Sequence, residues 1–172
     1  MSKGVIFDLD QTIVKTEHLE SLRKTGQWKE IYSKIETIKI YDGIPDLIYF
    51  IKLKGIKISI VTNSPRTYCE RIVKYFDLQI DNLICFHDVR FRKPSPEPIL
   101  KAIDQLKLIP NKKIVSIGDK VDDLIASQKT GITTIGAIWD TNEREKIFDF
   151  KPDFIAQKPE NIISFLKTLW EE

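Results

Sequence analysis

Two aspartates, Asp8 and Asp10, follow a short apolar run near the start of the chain, and Thr12 comes two residues later. The run, Val5–Phe7, consists of β-branched and aromatic residues, which is typical of a strand buried in a parallel sheet. Open α/β sheets bind ligands where their strands end, so both carboxylates could face one small volume. Two carboxylates that close repel each other unless a cation lies between them or one carries a proton. The spacing therefore indicates a divalent metal site or a nucleophile beside a general acid, although such a pair by itself more often marks a turn after a strand.

Three later apolar runs also end in polar residues. Each ending has an ordinary interpretation by itself, as a helix cap, a surface lysine or a turn. Together, at one edge of a parallel sheet, they would supply carboxylates for a hard cation such as Mg²⁺, and hydroxyl, amide and lysine groups for phosphoryl oxygens. The residues concerned are Thr62, Asn63 and Ser64, then Lys93, then Gly118, Asp119, Asp122 and Asp123.

Apolar strands alternate with amphipathic helices through most of the chain. This order predicts an α/β fold, a doubly wound Rossmann-like parallel sheet with helices on both faces. With no internal repeat and no linker, residues 1–172 are expected to form a single domain. The predicted strands are 5–7, 56–61, 83–86, 113–117, 132–139 and 153–156, and the predicted helices are 42–54, 66–76, one ending near 106, 121–130 and 159–170.

Residues 14–41, called the flap below, interrupt the alternation after the first strand. Their apolar positions are sparse and Gly26 breaks the helical pattern, which predicts two short helices that cannot form a core of their own. We therefore expect a small helical cap inserted over the strand ends. Such a cap closes a site incompletely, so it would admit a larger substrate or be completed by a second subunit.

The composition narrows the class of protein. The net charge of +2 in 172 residues gives no nucleic-acid signature, and no run approaches the ~18 apolar residues of a membrane span. We expect no signal peptide, because the first strand is predicted to begin only a few residues into the sequence. Cys69 and Cys85 are not spaced as a metal or redox pair, so we expect buried free thiols and a cytoplasmic protein. Nothing in the sequence indicates an oligomeric state.

In four motifs the chain resembles the haloacid dehalogenase superfamily, and especially its phosphatases. The motifs span about the first three quarters of the chain and occur in the family's order. One departure is Gln11, at a position where the family often has glycine. The motifs are Asp8-Leu9-Asp10-Gln11-Thr12, Thr62-Asn63-Ser64, Lys93-Pro94 and Gly118-Asp119-Lys120-Val121-Asp122-Asp123.

The resemblance implies a reaction and a role for each reacting group. Asp8 would be the nucleophile that accepts the phosphoryl group as an aspartyl-phosphate. Asp10 would be the general acid for the leaving group and then the base for the hydrolytic water. Thr62 and Asn63 would hold the phosphoryl oxygens, and Lys93 would neutralise charge around the nucleophile. Carboxylate attack on an anionic phosphate needs such charge compensation, so the physical argument agrees.

The resemblance also implies a magnesium site. Mg²⁺ would be held by the Asp8 carboxylate, the Asp10 backbone carbonyl and Asp119, with Asp123 in support. The spacing of the last motif favours Asp123 over Asp122 as the functional acid. The substrate would be a small-molecule phosphate ester or a larger phosphorylated molecule.

Other functions remain open at this point. An acid at the second aspartate position implies a phosphatase or a phosphomutase of the same superfamily. A receiver-type phospho-accepting signalling domain combines similar residue types, but it accepts the phosphoryl group on a strand in the middle of the chain. A catalytically idle scaffold is the last alternative, because a fold alone does not fix a function.

Overall fold

Six parallel strands form the central sheet of the protein. The computed structural model describes residues 1–171; Glu172, the last residue of the expected domain, lies outside the described residues. The strands are β1 Gly4–Phe7, β4 Lys57–Val61, β5 Asn82–Ile84, β6 Ile114–Gly118, β7 Thr133–Ala137 and β8 Phe154–Ala156. Their order in the sheet is β5-β4-β1-β6-β7-β8, so β1 lies in the middle between β4 and β6.

The central strands are apolar on both faces because both faces are covered. In β1, Val5 and Phe7 pack into one hydrophobic cluster, whereas Ile6 packs into another. In β6, Ile117 and Ile114 divide between the same two clusters. Successive residues of a strand point to opposite faces, so the two clusters lie on opposite sides of the sheet. The α/β doubly wound fold predicted from the sequence is confirmed.

Helices from different parts of the chain cover the two faces. The helices of the core are α3 Ile44–Leu53, α4 Arg66–Tyr75, α5 Glu97–Gln105, α6 Val121–Gln128, α7 Arg144–Phe150 and α8 Pro159–Glu171. Ile99 in α5 and Ala126 in α6 belong to the cluster of Ile6, while Leu47 in α3 and Ile162 in α8 belong to the cluster of Val5. Within residues 1–171, every helix is too short or too polar to span a membrane.

The flap contains a small sheet as well as helices. Strands β2 (Val14–Lys15) and β3 (Lys39–Ile40) pair antiparallel where the flap leaves and rejoins the core. Between them lie α1 (Glu20–Lys24) and α2 (Trp28–Tyr32), each preceded or followed by a 3₁₀ turn. The sequence predicted the two short helices but not the strand pair, because two-residue strands carry no periodic signal.

Candidate active site

The seven residues predicted for the site all line one cavity of about 540 Å³ at the carboxyl ends of the strands. Three of these strands, β4, β1 and β6, are neighbours in the sheet, so the residues that follow them meet at one edge. Flap residues, including Arg23 and Trp28, form the opposite wall. The lining residues predicted from the sequence are Asp8, Asp10, Thr62, Asn63, Lys93, Asp119 and Asp123.

Three acidic side chains form a tight cluster at the base of the cavity. One carboxylate oxygen from each of Asp8, Asp119 and Asp123 lies within 4.8 Å of the others. The Thr12 hydroxyl donates to Oδ2 of Asp8 and to Oδ1 of Asp119, each across 3.3 Å. A hydroxyl has one proton, so it serves the two acceptors in alternation. Gly118 leaves space for Asp123, because a Cβ at Gly118 would lie 2.4 Å from the Asp123 Cβ.

Lys93 is the buried cation of the cluster. Its Nζ donates to Oδ1 of Asp8 at 2.9 Å, lies 2.6 Å from Oδ1 of Asp123, and donates to the Val61 carbonyl at 2.9 Å. Only 5% of its side chain is exposed. The three donors of an ammonium group are therefore fully used inside the protein.

Burial and mutual repulsion set the protonation of the cluster. Burial raises the pKa of Asp119 to about 10, helped by the negative charges of Asp8 and Asp123. Burial and Asp8 raise the pKa of Asp123 to about 6, against the opposing charge of Lys93. Burial is the largest influence on Asp8 and disfavours its charged form, but the charge of Lys93 and the hydrogen bonds from Asp119, Lys93 and the Leu9 backbone together hold the pKa of Asp8 below its ordinary value. In the absence of a cation, the site thus keeps Asp8 ionised and forces a proton onto Asp119.

The residues after β4 line the side of the cavity next to α4. Thr62 is buried, and its hydroxyl accepts from the backbone N–H of Ser64 at 3.1 Å. Asn63 is exposed at the cavity surface. Hydroxyl and backbone N–H groups with this access can donate to the oxygens of a phosphoryl group.

Asp10 is held by a shell of donors separate from the acid cluster. Its Oδ1 accepts from Thr16 Oγ1 at 2.7 Å, from Arg23 at 2.8 Å and from the Tyr68 hydroxyl at 2.5 Å. Its Oδ2 accepts from the Ser64 hydroxyl at 3.0 Å. The Asp10 carboxylate therefore belongs to a hydrogen-bond network that does not include the three clustered acids.

Two of the residues that donate to Asp10, Tyr68 and Arg23, have pKa values shifted from their ordinary values. Burial raises the pKa of the Tyr68 hydroxyl, and the negative charge of Asp10 raises it further, so the group stays a donor. Burial disfavours the charge of Arg23, but its ion pair with Asp10 raises the pKa of the guanidinium above the usual value. Both groups thus keep their protons beside Asp10 throughout the ordinary pH range.

Sequence reasoning missed part of the site. Thr12 stood in the first motif, and its hydroxyl was a usable signal. Tyr68 occupies an apolar position of the predicted helix 66–76, which indicates burial but not the partner of its hydroxyl. Arg23 carries no signal, because its contact depends on how the flap folds back. Gln11 adopts φ of 62°, in the left-handed region that glycine enters most easily, while its side chain accepts from the Thr16 N–H at 2.7 Å.

Comparison with protein families agrees with this geometry. A family model of haloacid dehalogenase-like hydrolases matches residues 19–137, more than half of the chain. The chain therefore belongs to the haloacid dehalogenase-like hydrolase family. The match contains the second, third and fourth motifs, and the first motif, with Asp8 and Asp10, lies just before it.

Curated relatives and solved structures are similar to the chain over different extents. Pyrophosphatase PpaX from Anoxybacillus flavithermus is 31% identical over 131 residues, 75% of this chain and 60% of the relative. Pyrophosphatase PpaX from Bacillus mycoides is 28% identical over 136 residues, which are 78% of this chain and 63% of the relative. The chain thus spans only about three fifths of the length of these relatives.

Two crystal structures share the fold over nearly the whole chain. A haloacid dehalogenase superfamily hydrolase from Ehrlichia chaffeensis has a TM-score of 0.73 at 21% identity and covers 98% of both chains. CbbY from Rhodobacter sphaeroides, solved with phosphate, has a TM-score of 0.77 at 18% identity and covers 92% of this chain and 95% of its own. At these identities the likeness establishes the fold alone.

Proposed function

We propose that the protein is a Mg²⁺-dependent phosphatase that hydrolyses a phosphate monoester through an aspartyl-phosphate on Asp8. The observation that carries the proposal is the ammonium of Lys93, which bridges Asp8 and Asp123 at 2.9 and 2.6 Å. This arrangement keeps the Asp8 carboxylate ionised and supplies positive charge where an anionic phosphate must approach. Family membership supports the same chemistry.

The acid cluster fits a resident Mg²⁺ ion. Asp8, Asp119 and Asp123 offer oxygen ligands, which Mg²⁺ prefers, and the raised pKa of Asp119 reflects a repulsion that a cation would relieve. Asp8, Asp119 and the Asp10 backbone carbonyl would hold the ion, with Asp123 in support. When bound, Mg²⁺ supplies positive charge that polarises the phosphoryl group and orients it toward the nucleophile.

The residues of the chain perform the transfer in two steps. An Asp8 carboxylate oxygen forms a bond to phosphorus as the ester oxygen–phosphorus bond breaks, and the departing oxygen takes a proton from Asp10. Water then attacks phosphorus and gives a proton to Asp10, which releases inorganic phosphate and restores the Asp8 carboxylate. Lys93 stays charged and offsets the charge that develops around Asp8 in both steps, while Thr62 and Asn63 hold the transferred group.

The names of the curated relatives guide the choice of substrates to test. Because curated relatives are named pyrophosphatases, pyrophosphate belongs beside small phosphate esters in a first substrate panel. A phosphomutase is the second candidate, since it would use the same residues and differ only in the acceptor of the phosphoryl group.

Buried free thiols at Cys69 and Cys85 agree with the reducing cytoplasm that we propose as the compartment.

The test is release of inorganic phosphate from a panel of p-nitrophenyl phosphate, pyrophosphate and sugar phosphates, with Mg²⁺ or with EDTA. We expect release that needs Mg²⁺ and is lost in Asp8→Asn. Conversion of a sugar phosphate to its positional isomer without net release of phosphate would identify a mutase instead.

A further inference from the structure

The flap helix α1 is joined to the core by a polar contact as well as by limited apolar packing. None of its five residues is fully buried, and its one apolar side chain, Leu22, is only partly buried against the core. Arg23 reaches from α1 to Asp10 Oδ1 at 2.8 Å and to the Thr16 carbonyl at 3.3 Å. The side chain of Arg23 is only 15% exposed, and that of its partner Asp10 is 17% exposed. The contact is therefore a largely desolvated ion pair, a stronger tie than an exposed one.

We propose that Arg23 is a positioning residue of the reaction: it orients the Asp10 carboxylate toward the leaving group and couples that orientation to the position of the flap. The inference rests on the proposed function, because it assigns to Arg23 a role that is exercised through Asp10. The other three donors to this carboxylate are neutral hydroxyl groups, so Arg23 is the charged member of the shell.

The distribution of donors decides which oxygen of Asp10 is available. Oδ1 accepts three hydrogen bonds, from Thr16, Arg23 and Tyr68, and has no remaining capacity. Oδ2 accepts one, from Ser64, and keeps a free lone-pair direction. Arg23 thus pins Oδ1 and leaves Oδ2 to exchange a proton with the substrate. Without the guanidinium, either oxygen of Asp10 could turn toward the cavity. The orientation that suits proton transfer would then be only one of several that the carboxylate adopts.

The role predicts a dependence on the leaving group. A substrate with a weakly basic leaving group, such as p-nitrophenyl phosphate, needs little help from a general acid, whereas an alkyl phosphate needs much more. We expect Arg23→Ala to lower the rate of aspartyl-phosphate formation, measured in a single turnover, by roughly 10- to 100-fold for an alkyl phosphate and by less than about 3-fold for p-nitrophenyl phosphate, since general acid catalysis as a whole contributes about 10²- to 10⁴-fold. Hydrolysis of the aspartyl-phosphate is the same step for both substrates and does not enter this comparison. KM for both substrates should change little, and Arg23→Lys should recover part of the loss.

A double-mutant cycle and a control separate this role from general support of the flap. In an Asp10→Ala background, Arg23→Ala should cause no further loss, because the residue acts through Asp10. The control is Lys29→Ala, which removes an exposed basic residue from the other flap helix, outside the cavity lining, and should behave as wild type. Equal losses on both substrates, a rise in KM alone, or additive losses in the cycle would overturn the proposal. Direct binding of substrate by Arg23 would produce the rise in KM.

A readout that needs no turnover tests the coupling to the flap. Cleavage of the intact protein after Glu20 by a glutamyl endopeptidase reports how often α1 leaves the core. We expect Arg23→Ala and Asp10→Ala to accelerate it to the same extent, and the double variant to be no faster. Unchanged cleavage in Asp10→Ala would contradict the coupling. If Asp10→Ala itself lowers the rate of aspartyl-phosphate formation equally for both leaving groups, the proposed role of Asp10 as general acid fails, which is a different outcome from failure of the role of Arg23.

Discussion

The Nζ atom of Lys93 lies 2.9 Å from Oδ1 of Asp8, although 85 residues separate them in the chain. The end of β1 and the loop that precedes α5 thus meet in one buried ion pair. Because Lys93 also contacts Asp123, its removal would leave two buried carboxylates without their cation.

Replacement of Lys93 by methionine should therefore harm both activity and folding. We expect phosphatase activity to fall below detection and the free energy of unfolding to drop by about 3–5 kcal/mol near neutral pH, since a buried pair has lost one partner. The loss should shrink at acidic pH, where the two carboxylates can take protons in the folded variant. Urea unfolding at several pH values measures it.

Lys57→Met is the matched control for this variant. Lys57 donates only to the Leu106 carbonyl, at 2.9 Å, and lies away from the cavity. We expect Lys57→Met to lower the free energy of unfolding only slightly, by an amount that does not vary with pH. A similar loss in both variants would mean that the acid cluster does not depend on Lys93.

The metal-free protein should become less stable as pH rises from about 5 to about 8. The pKa of Asp119 is raised to about 10 and that of Asp123 to about 6, whereas both are near ~3.9 in the unfolded chain. In this range the folded state binds more protons than the unfolded state, so the free energy of unfolding falls with pH, by at most about 1.4 kcal/mol per unit for each proton. Denaturant unfolding in EDTA measures the slope.

Saturating Mg²⁺ should flatten this slope, because the cation replaces the retained proton. Asp119→Asn should flatten it without metal and should be more stable than wild type at about pH 8 in EDTA. Stability that rises with pH in EDTA, or a slope unchanged in Asp119→Asn, would contradict the charge balance described for the cluster.

Gly118→Ala should weaken metal binding by displacing Asp123. The added Cβ would lie 2.4 Å from the Asp123 Cβ, far inside van der Waals contact, and overpacking of this kind costs about 1–3 kcal/mol. We expect both lower stability and lower Mg²⁺ affinity, measured by calorimetry. Gly136→Ala is the control, since its Cβ would meet Ile147 at 2.6 Å instead of a cluster acid. Equal losses of Mg²⁺ affinity in the two variants would contradict a role of Gly118 in placing Asp123.

The strand endings were predictable from the sequence because short apolar runs and the polar residues after them are local signals. Asp8, Thr62, Lys93 and Asp119 follow predicted strands, and the parallel sheet brings them to one edge. The predicted strand bounds differ from the observed ones by only a residue or two; the strand predicted at 132–139, for example, is Thr133–Ala137. The polar sequence of residues 140–148 is compatible with either a loop or a short helix, and the structure has a helix there, Arg144–Phe150.

The surroundings of Asp10 were not predictable in the same way. Its contacts with Arg23 and Tyr68 join the flap, the first strand and α4, so they depend on docking of elements rather than on local pattern. The apolar position of Tyr68 in its helix predicted burial correctly, but nothing local indicates where its hydroxyl donates. Strands β2 and β3 were not predictable either, because their formation depends on their pairing with each other and not on a local sequence pattern.

The most direct test of the account is to trap the phosphoryl group on the chain. The protein would be mixed with substrate and Mg²⁺, quenched in acid and treated with borohydride, which converts a phosphorylated aspartate to homoserine. Mass spectrometry of the tryptic peptide Gly4–Lys15, which contains both Asp8 and Asp10, then locates the change. We predict homoserine at position 8 in the native protein and none in Asp8→Asn. Phosphate release without any change at position 8, or a change at position 10, would contradict the assignment of Asp8 as the nucleophile.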